Sequence, residues 1–132
     1  MGFLDIDVSD AQVLKTFSTG SEVKLRVIDA DVKTSDKTGG EYLTVSFEPI
    51  GEPGYKDITK VFMLPTSSDR PKQANNRKLA IKDYCEAFSI SIDPQKEVGD
   101  YMIGAEGWTI LREEEDAEWG MRNVIKKFIL GH

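Results

Sequence analysis

The sequence predicts a mainly β fold: five strands, with one helix between the third and fourth. Three observations lead there. Apolar residues alternate with polar ones in several short segments, the period of a half-buried strand. Clusters of Gly, Pro, Asp and Ser separate these segments and read as turns. The longest stretch with apolar residues at helical spacing lies around residues 76–88.

Residues 1–20 read as an N-terminal arm. Ser9 is placed to cap a short helix through Phe17, with Val13, Leu14 and Phe17 on one face and Thr19-Gly20 at its end. The first strand lies in 21–33, where Val23, Leu25 and Val27 alternate with Lys24 and Arg26. Thr34 to Gly40 is a turn, and 41–48 alternates again, so the two strands should form a hairpin. The loop from Pro49 to Gly54 leads to a third strand over 55–64. Its run of Val61, Phe62, Met63 and Leu64 breaks the alternation, which predicts a bulge or an end buried on both faces.

The polar, basic stretch Thr66–Asn76 leads into the helix, which starts between Pro71 and Asn76. Ile81, Tyr84, Cys85 and Phe88 form its stripe. Residues 90–100 read as a connector. A fourth strand is expected over 106–112, the acidic stretch 113–118 is its turn, and the fifth strand covers 120–129. Three strands, a helix and two strands is the order of the OB-fold, a five-stranded Greek-key barrel. The expectation is therefore an arm over 1–20 and an OB-fold domain over 21–132, with a five-stranded α+β sheet as the alternative.

Composition narrows the function. The 132 residues suit one domain. With 39% hydrophobic and 30% charged residues, the chain reads as soluble and globular, without a membrane partner. Met1-Gly2 resembles a myristoylation start, but position 6 is Ile and not Ser or Thr. No signal-peptide pattern opens the sequence. Cys85 is the only cysteine and His132 the only histidine. That excludes an intrachain disulfide, His-dependent triads and Cys/His zinc sites, and it points to the cytoplasm. Phosphate-loop and nucleophile-elbow motifs do not occur. No enzyme activity and no cofactor are expected. The acidic stretch lacks the alternating spacing and central Gly of a calcium loop. It reads as a solvated hairpin tip, with a gate or a docking point for a basic partner as the functional alternatives.

The net charge of −6 opposes a polyanionic ligand, but the charge is segregated. Glu113, Glu114, Glu115, Asp116 and Glu118 hold five of the carboxylates, whereas residues 53–82 carry seven bases against two acids. Binding to nucleic acid strands needs cations along a groove and flat side chains for stacking. Candidates are Lys24 and Arg26 on the first strand, Lys33 and Lys37 at the first hairpin, and Tyr42 on the second strand. Tyr55, Lys56, Lys60 and Phe62 come from the third strand, and Arg70 and Lys72 from the basic connection. Trp119 and Arg122 flank the acidic turn, where the Trp could cover the barrel end or serve as a stacking platform. Most of these positions fall where an OB-fold presents its usual ligand face.

Several segments also resemble a phage-encoded family of single-stranded-DNA-binding proteins, first catalogued as of unknown function. They are Met1-Gly2-Phe3-Leu4-Asp5, Val27 to Ser35, Gly40 to Phe47, Val61-Phe62-Met63-Leu64, Tyr84 to Phe88 and Asn123 to Phe128. The resemblance spans most of the chain as diffuse patterning. It implies an OB-fold and a role in phage replication or recombination, and it transfers no base-contacting residue. Its implied partners are single-stranded DNA, a second copy of the chain, and phage or host replication and recombination proteins. Many single-stranded-DNA-binding proteins recruit partners through an acidic tail with a terminal aromatic. Here the sequence closes on Phe128-Ile129-Leu130-Gly131-His132, leaving the acidic turn or the arm as substitutes. The competing reading is an acidic protein-interaction module or DNA mimic that occupies a DNA-binding partner of the host.

Overall fold

A computed structural model describes residues 6–132. Met1–Asp5, the start of the family resemblance and of the myristoylation pattern, lie outside the described residues. The strands are β1 (Glu22–Thr34), β2 (Glu41–Pro49), β3 (Ile58–Met63), β4 (Glu106–Asp116) and β5 (Gly120–Phe128). Helices α1 (Pro71–Ala87) and α2 (Val98–Met102) both lie between β3 and β4. The short α2 occupies the end of what the sequence presents as a connector.

All five strands join one antiparallel sheet in the order β3-β2-β1-β4-β5. The long β1 serves two neighbours. Its first part, Glu22–Arg26, pairs with β4, and Leu25–Thr34 pairs with β2. A register shift between Val27 and Asp29 bends the strand where it passes from one partner to the other. The edge strands β3 and β5 are not hydrogen-bonded to each other as strands, so the ladder does not close as a barrel would require. They nevertheless come side by side: the Phe62 and Phe128 rings lie 6.1 Å apart.

The core lies between the inner face of the sheet and α1. Leu25, Val27, Val45, Phe47, Ile58 and Leu111 are fully buried on the strands. Tyr84, Cys85 and Phe88, three of the four residues of the helical stripe, are buried on the other side, and Ile81 is half-buried. Tyr84 packs against Phe47, Phe62, Phe88 and Phe128. This burial pushes its phenol pKa upward. Gly107 is what lets α1 come this close to β4. A Cβ there would sit 2.6 Å from Phe88 Cδ1 and 2.7 Å from the Ala87 carbonyl oxygen.

Four sequence expectations need correction. The arm is not helical. Its backbone bonds outward instead: Lys15 N–H donates to Gly54 O, and Lys56 N–H donates to Lys15 O, making a parallel bridge beside Tyr55. Tertiary partners thus replace the intrahelical ones. The third strand has no bulge and alternates strictly from Ile58 to Met63, because Val61 and Met63 face outward as exposed apolar residues. The bulges fall in β1, at Ile28, and in β5, at Lys126. The acidic stretch is mostly strand: Glu113 to Asp116 extend β4, and the turn is confined to Ala117–Trp119. Cross-strand pairing explains this, since Glu114 lies directly opposite Arg122. Phe62, a candidate for base stacking, is only 2% exposed and belongs to the core, so it offers no free ring face.

Candidate nucleic-acid interface

The outward residues of β1, β2 and β3 build one continuous face. On β2 these are Tyr42, Thr44, Ser46 and Glu48. Tyr42 lies between Lys33 of β1 and Met63 of β3, and Thr44 between Asp31 and Val61. Lys24 and Arg26 lie on the same face of β1, but carboxylates engage them. Arg26 donates to Glu48 Oε1 at 3.0 Å and to Glu106 Oε2 at 3.2 Å, and Lys24 Nζ is 3.5 Å from Glu106 Oε1. A phosphate at either side chain would have to displace an existing partner.

The remaining cations differ. Among the described residues, Lys33, Lys37, Lys60, Arg70 and Lys72 have no carboxylate within 4.0 Å. Three of them line a groove of about 920 Å³ between β3 and the start of α1. Lys60 enters it from β3, its Nζ 5.7 Å from the centre of the Phe62 ring. Arg70 and Lys72 enter from the helix start. Val61, Met63, Pro71 and Ala80 supply apolar wall, and Gln73 and Asn76 supply amides. No side chain caps α1, and its first turn holds no acid, so the positive end of the helix dipole adds to the local field.

The loop before α1 is held by one carboxylate. Asp69 accepts hydrogen bonds from the Thr66 backbone N–H and hydroxyl, each at 2.9 Å, and from Arg77 at 2.9 and 3.0 Å. The Thr66 backbone bond, with help from the Thr66 hydroxyl and the Arg77 charge, holds its pKa below the ordinary value. Arg77 therefore reaches the groove already neutralised, while Arg70 beside it is free.

The candidates at the other end of the face have structural partners. Tyr55 stacks on Phe17 with ring centres 4.1 Å apart, which occupies one of its faces. Lys56 Nζ donates to the Met121 carbonyl at 2.6 Å and ties the approach to β3 onto β5. Arg122 bonds Glu114 at 2.7 Å, and Arg112 lies 3.3 Å from the same carboxylate. Trp119 is 75% exposed at the tip of the β4–β5 hairpin and covers nothing. Of the two roles open to it from the sequence, closing the sheet's end is therefore excluded.

The sequence pointed to Lys60, Arg70 and Lys72, which the groove brings together. It missed Val61, Met63, Gln73 and Asn76. The apolar excess in β3 was the available signal for the first two. Gln73 and Asn76, three residues apart on a helix, share a face, which was the signal for the others. No metal-holding group of three or more His, Cys, Asp or Glu occurs among the described residues, and no helix there is long and apolar enough to cross a membrane. No protein-family model matches this sequence, and no curated protein matches it either.

Proposed function

We propose that this chain is an OB-fold protein that binds single-stranded DNA without sequence preference, covering strands during phage replication or recombination. The observation that carries the reading is the sorting of its cations. Lys24 and Arg26 of β1 and the two arginines of the acidic hairpin are paired with carboxylates, whereas Lys33, Lys37, Lys60, Arg70 and Lys72 have no carboxylate partner among the described residues. Five cations without carboxylate partners in succession along one path suit a phosphate backbone. The path runs from Lys37 and Lys33 past Tyr42 to Lys60, Arg70 and Lys72. Tyr42, Val61 and Met63 offer surface against which bases pack.

Strand order supports the OB-fold assignment. In that fold the first strand is shared by two neighbours and the helix follows the third strand, as here. The phage context comes from the resemblance of segments such as Gly40–Phe47 and Asn123–Phe128. The reading assigns no catalytic step and no cofactor, and it places the protein in the host cytoplasm beside replication and recombination proteins.

Fluorescence anisotropy with labelled oligo-dT and a duplex of equal length tests the proposal. The single strand should bind and the duplex bind much more weakly. Affinity should fall linearly on a log–log plot against salt. Absence of binding to either oligonucleotide at low salt would overturn the reading and favour an acidic protein-interaction module.

A further inference from the structure

We propose that the tip of the β4–β5 hairpin of one copy docks in the β3–α1 groove of a second copy, so that chains associate head to tail. The two surfaces complement each other in charge and shape. The hairpin from Arg112 to Arg122 carries five carboxylates against two arginines. Glu114 and Asp116 use those arginines, which leaves Glu113, Glu115 and Glu118 without a cation among the described residues. The groove offers the opposite: Lys60, Arg70 and Lys72 without carboxylates, next to an uncapped helix start.

Trp119 supplies the anchor. A tryptophan with 75% of its surface exposed leaves a large apolar ring in water, and such rings dominate binding energy when buried at interfaces. The turn that presents it is already ordered. Asp116 Oδ1 accepts from the backbone N–H groups of Glu118 and Trp119, both at 2.9 Å. Little entropy is then lost on docking. The groove, about 920 Å³ and walled by Val61, Met63, Pro71 and Ala80, is large enough for an indole ring. Trp119 does not line the groove of its own chain, so the contact is between copies.

Such a contact joins two different patches, and nothing in it requires closure after two copies. Every assembly still presents a free hairpin at one end and a free groove at the other. Because the attraction is between exposed charges, it weakens with salt. Lys60, Arg70 and Lys72 are shared with the proposed DNA path, but the docking does not rest on that reading.

Sedimentation velocity on the full chain at low salt, without nucleic acid, tests the inference and leaves the DNA reading to the anisotropy experiment. Wild type should show a mean mass that rises with concentration past that of a dimer and falls when salt is added. Trp119→Ala should weaken association by about thirtyfold, the loss expected of a hot-spot residue. Arg70→Glu with Lys72→Glu should do the same. Both variants change exposed residues and should keep the wild-type circular dichroism spectrum. The decisive step is to mix them. Trp119→Ala retains an intact groove and the double variant an intact hairpin, so the mixture should form heterodimers and nothing larger. A wild type that stays monomeric, a Trp119→Ala variant that associates like wild type, or a mixture without heterodimer would each overturn the proposal.

Discussion

Asn123 and Phe17, separated by 106 residues, exchange a pair of hydrogen bonds. Asn123 Oδ1 accepts the Phe17 backbone N–H at 2.7 Å, and its Nδ2 donates to the Phe17 carbonyl at 2.9 Å. The same Nδ2 also reaches Arg112 O at 3.2 Å. A side-chain amide has the same donor and acceptor pattern as a peptide group, so Asn123 stands in for a neighbouring strand. At 3% exposure it is a buried polar group whose bonds are all internal. The arm is thereby built into the fold, with Phe17 stacked on Tyr55 beside it.

Asn123→Ala should leave the Phe17 peptide unpaired and lower stability by about 1–3 kcal/mol. It should also release the arm locally, so that trypsin cleaves after Lys15 much faster than in wild type. Chemical denaturation and a timed digest read by mass spectrometry check both effects. Unchanged stability together with an equally resistant arm would show that the amide does not hold it.

Gly107→Ala tests the approach of α1 to β4. The new methyl would meet Phe88 Cδ1 at 2.6 Å and the Ala87 carbonyl at 2.7 Å, and neither is the free end of a flexible chain. Overpacking of this kind costs about 1–3 kcal/mol and should lower Tm by several degrees. Gly54→Ala is the control, since a methyl there meets nothing within 4 Å. Thermal melts of the two variants should differ clearly, and equal Tm values would mean that the helix shifts freely away from the strand.

These positions mark the limit of what the sequence makes legible. Strand order and the helix follow from local periodicity, and Leu25, Val27, Tyr84 and Phe88 are core residues by pattern alone. Asn123 and Thr109 break that pattern, being polar yet buried. Thr109 does so by donating its hydroxyl to Val23 O at 3.0 Å. No local rule reveals a partner 86 or 106 residues away. The same holds for charge. Arg26 and Arg70 are alike in sequence, and only the fold places Glu48 and Glu106 at the first and leaves the second free.

That difference makes a direct prediction for DNA binding. Arg70→Ala should weaken binding to oligo-dT and reduce the salt slope by about 0.7, the value for one phosphate contact on a single strand. Lys72→Ala should act in the same direction. Arg26→Ala should leave affinity unchanged, because its guanidinium is already held by two carboxylates. If Arg26→Ala proves the more damaging change, the strand follows β1 and not the β3–α1 groove.

Asp69 sets part of the response to acid. Its folded pKa is held down by the Thr66 backbone bond first, then by the Thr66 hydroxyl and Arg77. A carboxyl whose pKa is lower folded than unfolded stabilises the fold above the unfolded value, about 3.9, and loses that contribution as pH falls through the folded value. Glu114, bonded by Arg122, and Asp116, bonded by the backbone of Trp119 and Glu118, act with the same sign. Thermal melts from neutral pH down to about pH 2 should therefore show Tm falling below the ordinary carboxylate range. Asp69→Asn should be less stable than wild type at neutral pH and should lose less on acidification, so that the two curves converge at the acid end. Because Asp69 orders the loop before α1, the variant should also loosen the groove at Arg70, which trypsin cleavage around the helix start would register. Curves that stay parallel across the acid range would mean that the Asp69 carboxylate does not contribute to stability through its charge.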